Sequence, residues 1–335
     1  MTASARSLLF ILALGLPPWV FAADAPNPEP IASQVAAGVW LIPEVPVADR
    51  EPDGNSVIYA VPDGLVVIDT GRHAWHLEAI LSTARRLHRP VAAVINTHWH
   101  LDHVSGNPAL RKRFPNMHVY ASAAIDKALA GFLASSARET AGYVDDPTIP
   151  AATREDLRAD LHTIQLGAEL KPDIAIGASR SLTIGGHRFD VRLAPYAATS
   201  GDVWVIDETS GVAALGDLVT LPVPYLDTAC PDGWRTALAA VAATPFRVAI
   251  PGHGPPLTHS EFAIYQRSFE KFLECAASPR DKDECGSQWA DDVSSLIGHE
   301  SGVRRRAERG AAYYIELLRK DGGRSRYCEA ASPAG

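Results

Sequence analysis

After its opening residues, the chain has no run approaching 18 uninterrupted apolar residues. That is the length a membrane-spanning helix needs, so no stable membrane insertion of a mature protein is expected. Excess positive charge is also lacking. Lys and Arg number 31 against 39 Asp and Glu, a formal net charge of −8. Nucleic acid as a partner requires a concentrated basic surface, and none is expected here; Arg304-Arg305-Arg306 reads as a solvated helix face. Cysteine is scarce, and Cys230, Cys275, Cys285 and Cys328 include no C-x-x-C spacing, which argues against a cysteine metal site. No internal repeat and no linker interrupts the chain, so one large domain with an appendage is the expected organisation.

The first 22 residues combine Arg6, the apolar stretch Leu8–Leu16 and the small-residue site Val20-Phe21-Ala22. This pattern reads as a cleaved secretory signal over 1–22, a mature start near Ala23, and a periplasmic or secreted protein; an uncleaved anchor is the alternative. An even cysteine count in an exported protein predicts two disulfides. Cys275–Cys285 would close a short charged loop and Cys230–Cys328 would tie the tail to the body. A hydrophobic fraction of 47% is enough for a substantial core.

Strands are predicted at 39–42, 56–61 and 65–68, with Pro62-Asp63-Gly64 as the turn between the last two. A helix over 74–87 leads into the buried strand Val91–Ile95. Residues 121–170 are Ala-rich, with Ile125, Leu129 and Phe132 at helical spacing, and read as a helical insertion interrupted at Asp145-Asp146-Pro147. Strands resume at 181–184, 187–193, 203–206 and 212–215. A helix near 232–243 precedes the strand 247–250, and helices at about 260–277 and 301–319 finish the chain. The pattern is a layered α/β arrangement.

The densest chemistry lies in Asn96-Thr97-His98-Trp99-His100-Leu101-Asp102-His103. Three histidines and an aspartate follow a buried strand directly, and a loop at a strand end can aim imidazoles and a carboxylate at one point, as Zn2+ favours. Trp99 either lines the pocket or joins the core, where Trp40 and Trp204 are expected. Asp69 ends a strand before Thr70-Gly71 and is expected to support the histidine loop by hydrogen bonds. His118, His162, His187, His259 and His299 read as surface or hydrogen-bonded residues, with His187 or His259 available to swing inward.

Thr97-His98-Trp99-His100-Leu101-Asp102-His103 resembles the T-H-x-H-x-D-H signature of the metallo-β-lactamase superfamily. Val66–Gly71, Leu215-Gly216-Asp217 and Pro251-Gly252-His253-Gly254 resemble further elements of that family, in its order. The resemblance implies an αββα sandwich over 23–258, with 259–335 as a helical extension. It implies one metal position from His98, His100 and a third histidine, a second from Asp102, His103 and His253, and Asp217 shared between them. The third histidine's position reads Ala198 in Ala198-Thr199-Ser200-Gly201, and a methyl group binds no metal. One tightly held Zn2+ is therefore expected, with a second weak or absent, and Asp102, His98 and His100 as candidate catalytic residues. His98 and His100 would orient water or bind developing negative charge.

The expected activity is exported, zinc-dependent hydrolysis of a small ester, thioester, lactone or amide by a metal-bound water. The chain resembles most the exported, quinoprotein-associated members of the family. A non-catalytic accessory or binding protein with a degenerate metal site is the alternative, and iron redox chemistry a third reading.

Overall fold

The computed structural model describes residues 29–298 and 301–328; the Val20-Phe21-Ala22 site and His299 lie outside them. The first sheet opens on a hairpin whose leading strand was not anticipated, β1 (Ser33–Ala36), followed by β2 (Val39–Ile42), β3 (Ser56–Val61) and β4 (Gly64–Ile68). Helix α1 (Ala74–Leu87) crosses over to β5 (Val91–Ile95), parallel to β4. Two short helices, α2 (Leu101–Val104) and α3 (Asn107–Arg113), precede β6 (His118–Ala121). The insertion contributes α4 (Ala124–Ala130), α5 (Phe132–Thr140), α6 (Ala151–Gln165) and α7 (Gly167–Leu170) before β7 (Ile174–Ala175) completes the sheet.

The second sheet holds β8 (Arg180–Ile184), β9 (His187–Ala194), β10 (Asp202–Asp207) and β11 (Val212–Thr220). Helix α8 (Pro231–Ala242) then leads to β12 (Val248–His253), parallel to β11. The chain continues as α9 (His259–Ala277), α10 (Lys282–Asp292), α11 (Ser294–Ile297) and α12 (Ser301–Lys320).

Side-chain alternation along the strands sorts apolar residues into layers. Val57, Tyr59, Val66 and Ile68 meet Phe189, Val191, Val203 and Val205 between the two sheets. Their neighbours Ile58, Leu65 and Val67 face outward against Ile80 and Ala84 of α1. On the far side, Trp204, Leu215 and Leu218 pack with Trp234, Phe262, Phe269, Trp289 and Ile315. Helices α9, α10 and α12 thus share one core with the outer face of the second sheet.

Both expected disulfides are present, Cys230–Cys328 and Cys275–Cys285. One detail differs from expectation. Cys285 lies not in a loop but in α10, whose cap is Asp281, accepting from the Asp283 and Glu284 amides. That segment, Lys-Asp-Glu-Cys-Gly-Ser-Gln-Trp-Ala-Asp-Asp, is too polar to display a helical apolar period. Replacing Cys275 and Cys285 by alanine is expected to lower unfolding stability by about 2–3 kcal/mol, the loop-closure entropy of so short a ring, measurable by urea denaturation. Among the described residues no helix is long and apolar enough to cross a membrane.

Candidate metal centre

The site lies at one edge of the sandwich, where the ends of β4, β5, β11 and β12 meet. Asp69 ends β4 with a left-handed φ of 58°. Its Oδ1 accepts from the Thr97 amide at 2.7 Å, and its Oδ2 from the Thr97 hydroxyl at 2.7 Å and His103 Nδ1 at 2.8 Å. This is the expected support of the histidine loop. Strand β11 runs five residues beyond its predicted end at 215, with an irregular register against β12 around Gly216. Such a bulge re-aims side chains, and Asp217 projects from it into the site. Gly252 in β12 passes so close that a Cβ there would lie 1.9 Å from Asp217 Oδ1. The glycine before His253 is thus a steric requirement.

Asp217 is shared, as the family pattern implies. Its Oδ1 lies 3.2 Å from His103 Nε2 and 3.6 Å from His253 Nε2; its Oδ2 lies 3.5 Å from His98 Nε2 and 4.0 Å from His100 Nδ1. Asp102 Oδ2 is 3.0 Å from His253 Nε2 and 3.4 Å from His103 Nε2. Two convergent groups result, Asp102–His103–His253 and His98–His103–Asp217. The second departs from expectation, because His103, more than His100, completes it.

Hydrogen bonds behind the imidazoles fix which nitrogen is free. Thr97 gives its only hydroxyl proton to Asp69, so at 3.0 Å it accepts from His98 Nδ1. Thr228 gives its proton to the Ala198 carbonyl at 3.0 Å and so accepts from His100 Nε2 at 3.0 Å. His103 donates from Nδ1 to Asp69, and His253 from Nδ1 to Glu44 Oε2 at 2.9 Å. Every histidine therefore has its outward nitrogen engaged and its other nitrogen turned inward, the arrangement that prepares imidazoles as ligands. In these tautomers His98 and His100 present lone pairs, which suits accepting a hydrogen bond from water and not binding negative charge.

The site concentrates opposite charges in a buried place. Burial favours neutral carboxyls, yet His103 above all holds Asp102 and Asp217 well below the ordinary carboxylate range. Burial likewise opposes protonation of His253, but Asp217 and Glu44 carry it up to about 10. Burial and then His103 push His98 well below its usual value. His98 Nε2, His103 Nε2 and Asp217 Oδ1 are buried without a hydrogen-bond partner, a condition that costs about 1–3 kcal/mol per group. Ligand atoms about 2.0–2.1 Å from a tetrahedral zinc lie about 3.4 Å apart. The four contacts of Asp102 and Asp217 with His103 and His253, from 3.0 to 3.6 Å, fit that requirement.

The two histidines considered as replacements are engaged elsewhere. His187 pairs with Asp207 at 2.9 Å, and His259 donates to the Ala242 carbonyl while stacking on Phe246. His118 and His162 are exposed, as expected. Trp99 belongs to a small apolar core with Leu133 and Leu170 under the insertion. Trp204 is buried, and Trp40 packs at the edge of the first sheet's outer core.

Three supporting residues escaped the sequence reading. Thr228 and Glu44 back His100 and His253, and Asn55 pins the Pro251–Gly254 turn by donating to the Pro251 and Gly254 carbonyls at 3.0 and 2.9 Å. Nothing in their local sequence marks them; only the fold brings them in. Arg72 is a fourth such residue, 3.9 Å from Asp102 Oδ1 and paired with Asp160 of α6.

The insertion is docked through a neighbouring polar cluster. His73 lies between Asp53, at 2.8 Å, and Asp156 of α6, at 3.3 Å. Burial opposes its protonation, but Asp156 and Asp53 raise its affinity above the ordinary value. This contribution to docking is complete below the unfolded value of about 6.5 and disappears as pH rises through the raised folded value. Limited proteolysis in the 141–150 segment is therefore expected to accelerate several-fold above neutral pH, and His73→Gln is expected to flatten that pH dependence.

The model of the metallo-beta-lactamase superfamily matches residues 49–274. No curated protein matches the chain. A metallo-beta-lactamase from Pontibacter korlensis is 19% identical, with a TM-score of 0.52 over 71% of this chain and 98% of its own. The metallo-beta-lactamase FIM-1 from Pseudomonas aeruginosa, in its mono-zinc form, is 18% identical, with a TM-score of 0.52 over 73% of this chain and 97% of its own. The stereoselective inverting sec-alkylsulfatase Pisa1 from Pseudomonas sp. is 15% identical, with a TM-score of 0.59 over 87% of this chain but 50% of its own. At these identities the likeness is one of fold, and the family match, which covers His98, His100, Asp102, His103, Asp217 and His253, carries the assignment. The chain belongs to the metallo-beta-lactamase superfamily.

Proposed function

We propose that the protein is an exported, zinc-dependent hydrolase of a small ester, thioester, lactone or amide, with one dominant metal position. The observation that carries this reading is the convergence of Asp102, His103, His253 and Asp217 on a buried point, with the outward nitrogens of both imidazoles held by Asp69 and Glu44. When bound, zinc supplies Lewis acidity, bringing a coordinated water toward ionisation near neutral pH and polarising a carbonyl oxygen. His98 and His100, each offering a lone pair on the same side of Asp217, accept hydrogen bonds from a water and orient it. Their backing by Thr97 and Thr228 prevents the rings from turning. Arg72 offsets part of the charge on Asp102. A fold relative known in a mono-zinc form supports the single dominant position, and the two disulfides support export.

The test begins with metal content after purification from zinc-containing medium, where about one zinc per chain is expected. A panel of p-nitrophenyl acetate, an acyl thioester, a lactone and a chromogenic β-lactam follows. At least one should be hydrolysed, the activity being lost with a chelator and restored by zinc. Tight zinc without turnover on any of them would favour an accessory protein, as the loss of a histidine at Ala198 suggests. N-terminal sequencing of the periplasmic form should begin near Ala23.

A further inference from the structure

The opening of the metal centre is not uniform. His98 and His103 side chains are fully buried, whereas His100 is 19% and Asp102 10% exposed, so a substrate approaches over these two residues. On the Asp102 side the neighbour is charged, Arg72 with its Asp160 partner. On the His100 side the neighbours are aromatic. Phe132, the first residue of α5, lies 6.4 Å from the His100 ring and 5.4 Å from Trp99. Tyr327 meets Phe132 edge-on at 5.0 Å, and Arg326 covers the Tyr327 ring at 4.9 Å. Phe132 and Tyr327 are both only partly buried.

Phe132 and Tyr327 come from the insertion and from the C-terminal segment, neither of which supplies a metal ligand. The tail is nonetheless fixed. Cys328 is bonded to Cys230, and the Ser325 amide donates to the Ala229 carbonyl at 3.2 Å. Rings held at set angles offer faces and edges to another ring at little ordering cost.

Resting on the hydrolase reading above, we infer that Phe132 and Tyr327 form a specificity wall, and that the substrate carries an aryl or comparably bulky apolar group directed over His100. A small acetyl-type group leaves this wall unused. The preference is thus for shape and apolarity on the His100 side, with polar substituents confined to the Arg72 side.

Two zinc-chelating probes, acetohydroxamate and phenylacetohydroxamate, test this by calorimetric binding to the zinc-loaded full chain. The phenyl compound is expected to bind at least tenfold more tightly. Tyr327→Ala and Phe132→Ser are each expected to weaken phenylacetohydroxamate at least fivefold more than acetohydroxamate, with zinc content retained. Tyr327 lies outside the packed core, so its variant tests the wall even where Phe132→Ser fails to fold. A wild-type ratio below threefold, or a ratio that both folded variants preserve, overturns the wall while leaving the hydrolase reading intact. If neither probe binds the zinc-loaded protein, the hydrolase reading falls and the wall with it.

Discussion

Asp102→Ala and His253→Ala are each expected to leave the protein without tightly held zinc and without hydrolytic activity. Each removes one candidate ligand of the convergent group Asp102–His103–His253, and a catalytic zinc is ordinarily held by three protein ligands. The loss goes beyond one bond. His253 Nδ1 also satisfies Glu44, so its removal leaves a carboxylate 18% exposed and without its imidazole partner. Removing Asp102 takes away one of the carboxylates that Arg72 faces and leaves it paired with Asp160. Glu44→Gln is the graded control. It keeps the ligands and alters only the backing of His253, which is expected to weaken zinc affinity about 10–100-fold. Competition with a chromophoric chelator measures all three variants. Wild-type affinity in Asp102→Ala would show that the metal sits elsewhere.

Ala198→His is expected to raise the zinc content from about one toward two per chain. Ala198 is 1% exposed, and its carbonyl is joined through the Thr228 hydroxyl to the back of His100. The position is therefore adjacent to the weaker group around His98, which lacks a third imidazole. Two imidazoles and a shared carboxylate bind zinc weakly, whereas a third imidazole completes the set. His98→Ala in the natural protein should correspondingly leave zinc content nearly intact while lowering the rate, since its part is to hold water. A natural protein that already carries two tight zincs refutes the single dominant position. A folded Ala198→His protein that stays at one shows that the backbone at 198 does not direct a side chain to the His98 group.

What sequence revealed and what it concealed follow the range over which each residue acts. His98, Asp102 and His103 are close neighbours in the chain, and Asp69 follows a continuous apolar strand, so their roles are visible locally. His253 and Asp217 are legible through the glycines beside them. Glu44 and Thr228 touch their histidines across 209 and 128 residues, and a lone glutamate or threonine carries no local mark of that. The paired sheets were legible because apolar alternation along a strand reports two buried faces. Strand β1 has two of its four residues exposed, and β7 is two residues long, too little for alternation to register. The sharing of His103 between both groups was hidden too, because family spacing names ligands but does not measure the gap between His100 and Asp217.

The bond between Cys230 and Cys328 also has a temporal meaning. Every candidate metal ligand is synthesised before α9, yet the Ala229 carbonyl and the Cys230 sulfur, just past Thr228, also bond to residues 325 and 328, which are made much later. A chain ended after α12 would contain every candidate ligand and still lack these two links of the loop that carries Thr228, together with Tyr327. Those links form only after residue 328 is made and its thiol oxidised, so that a reduced or truncated molecule is expected to hold metal before Tyr327 is fixed beside Phe132.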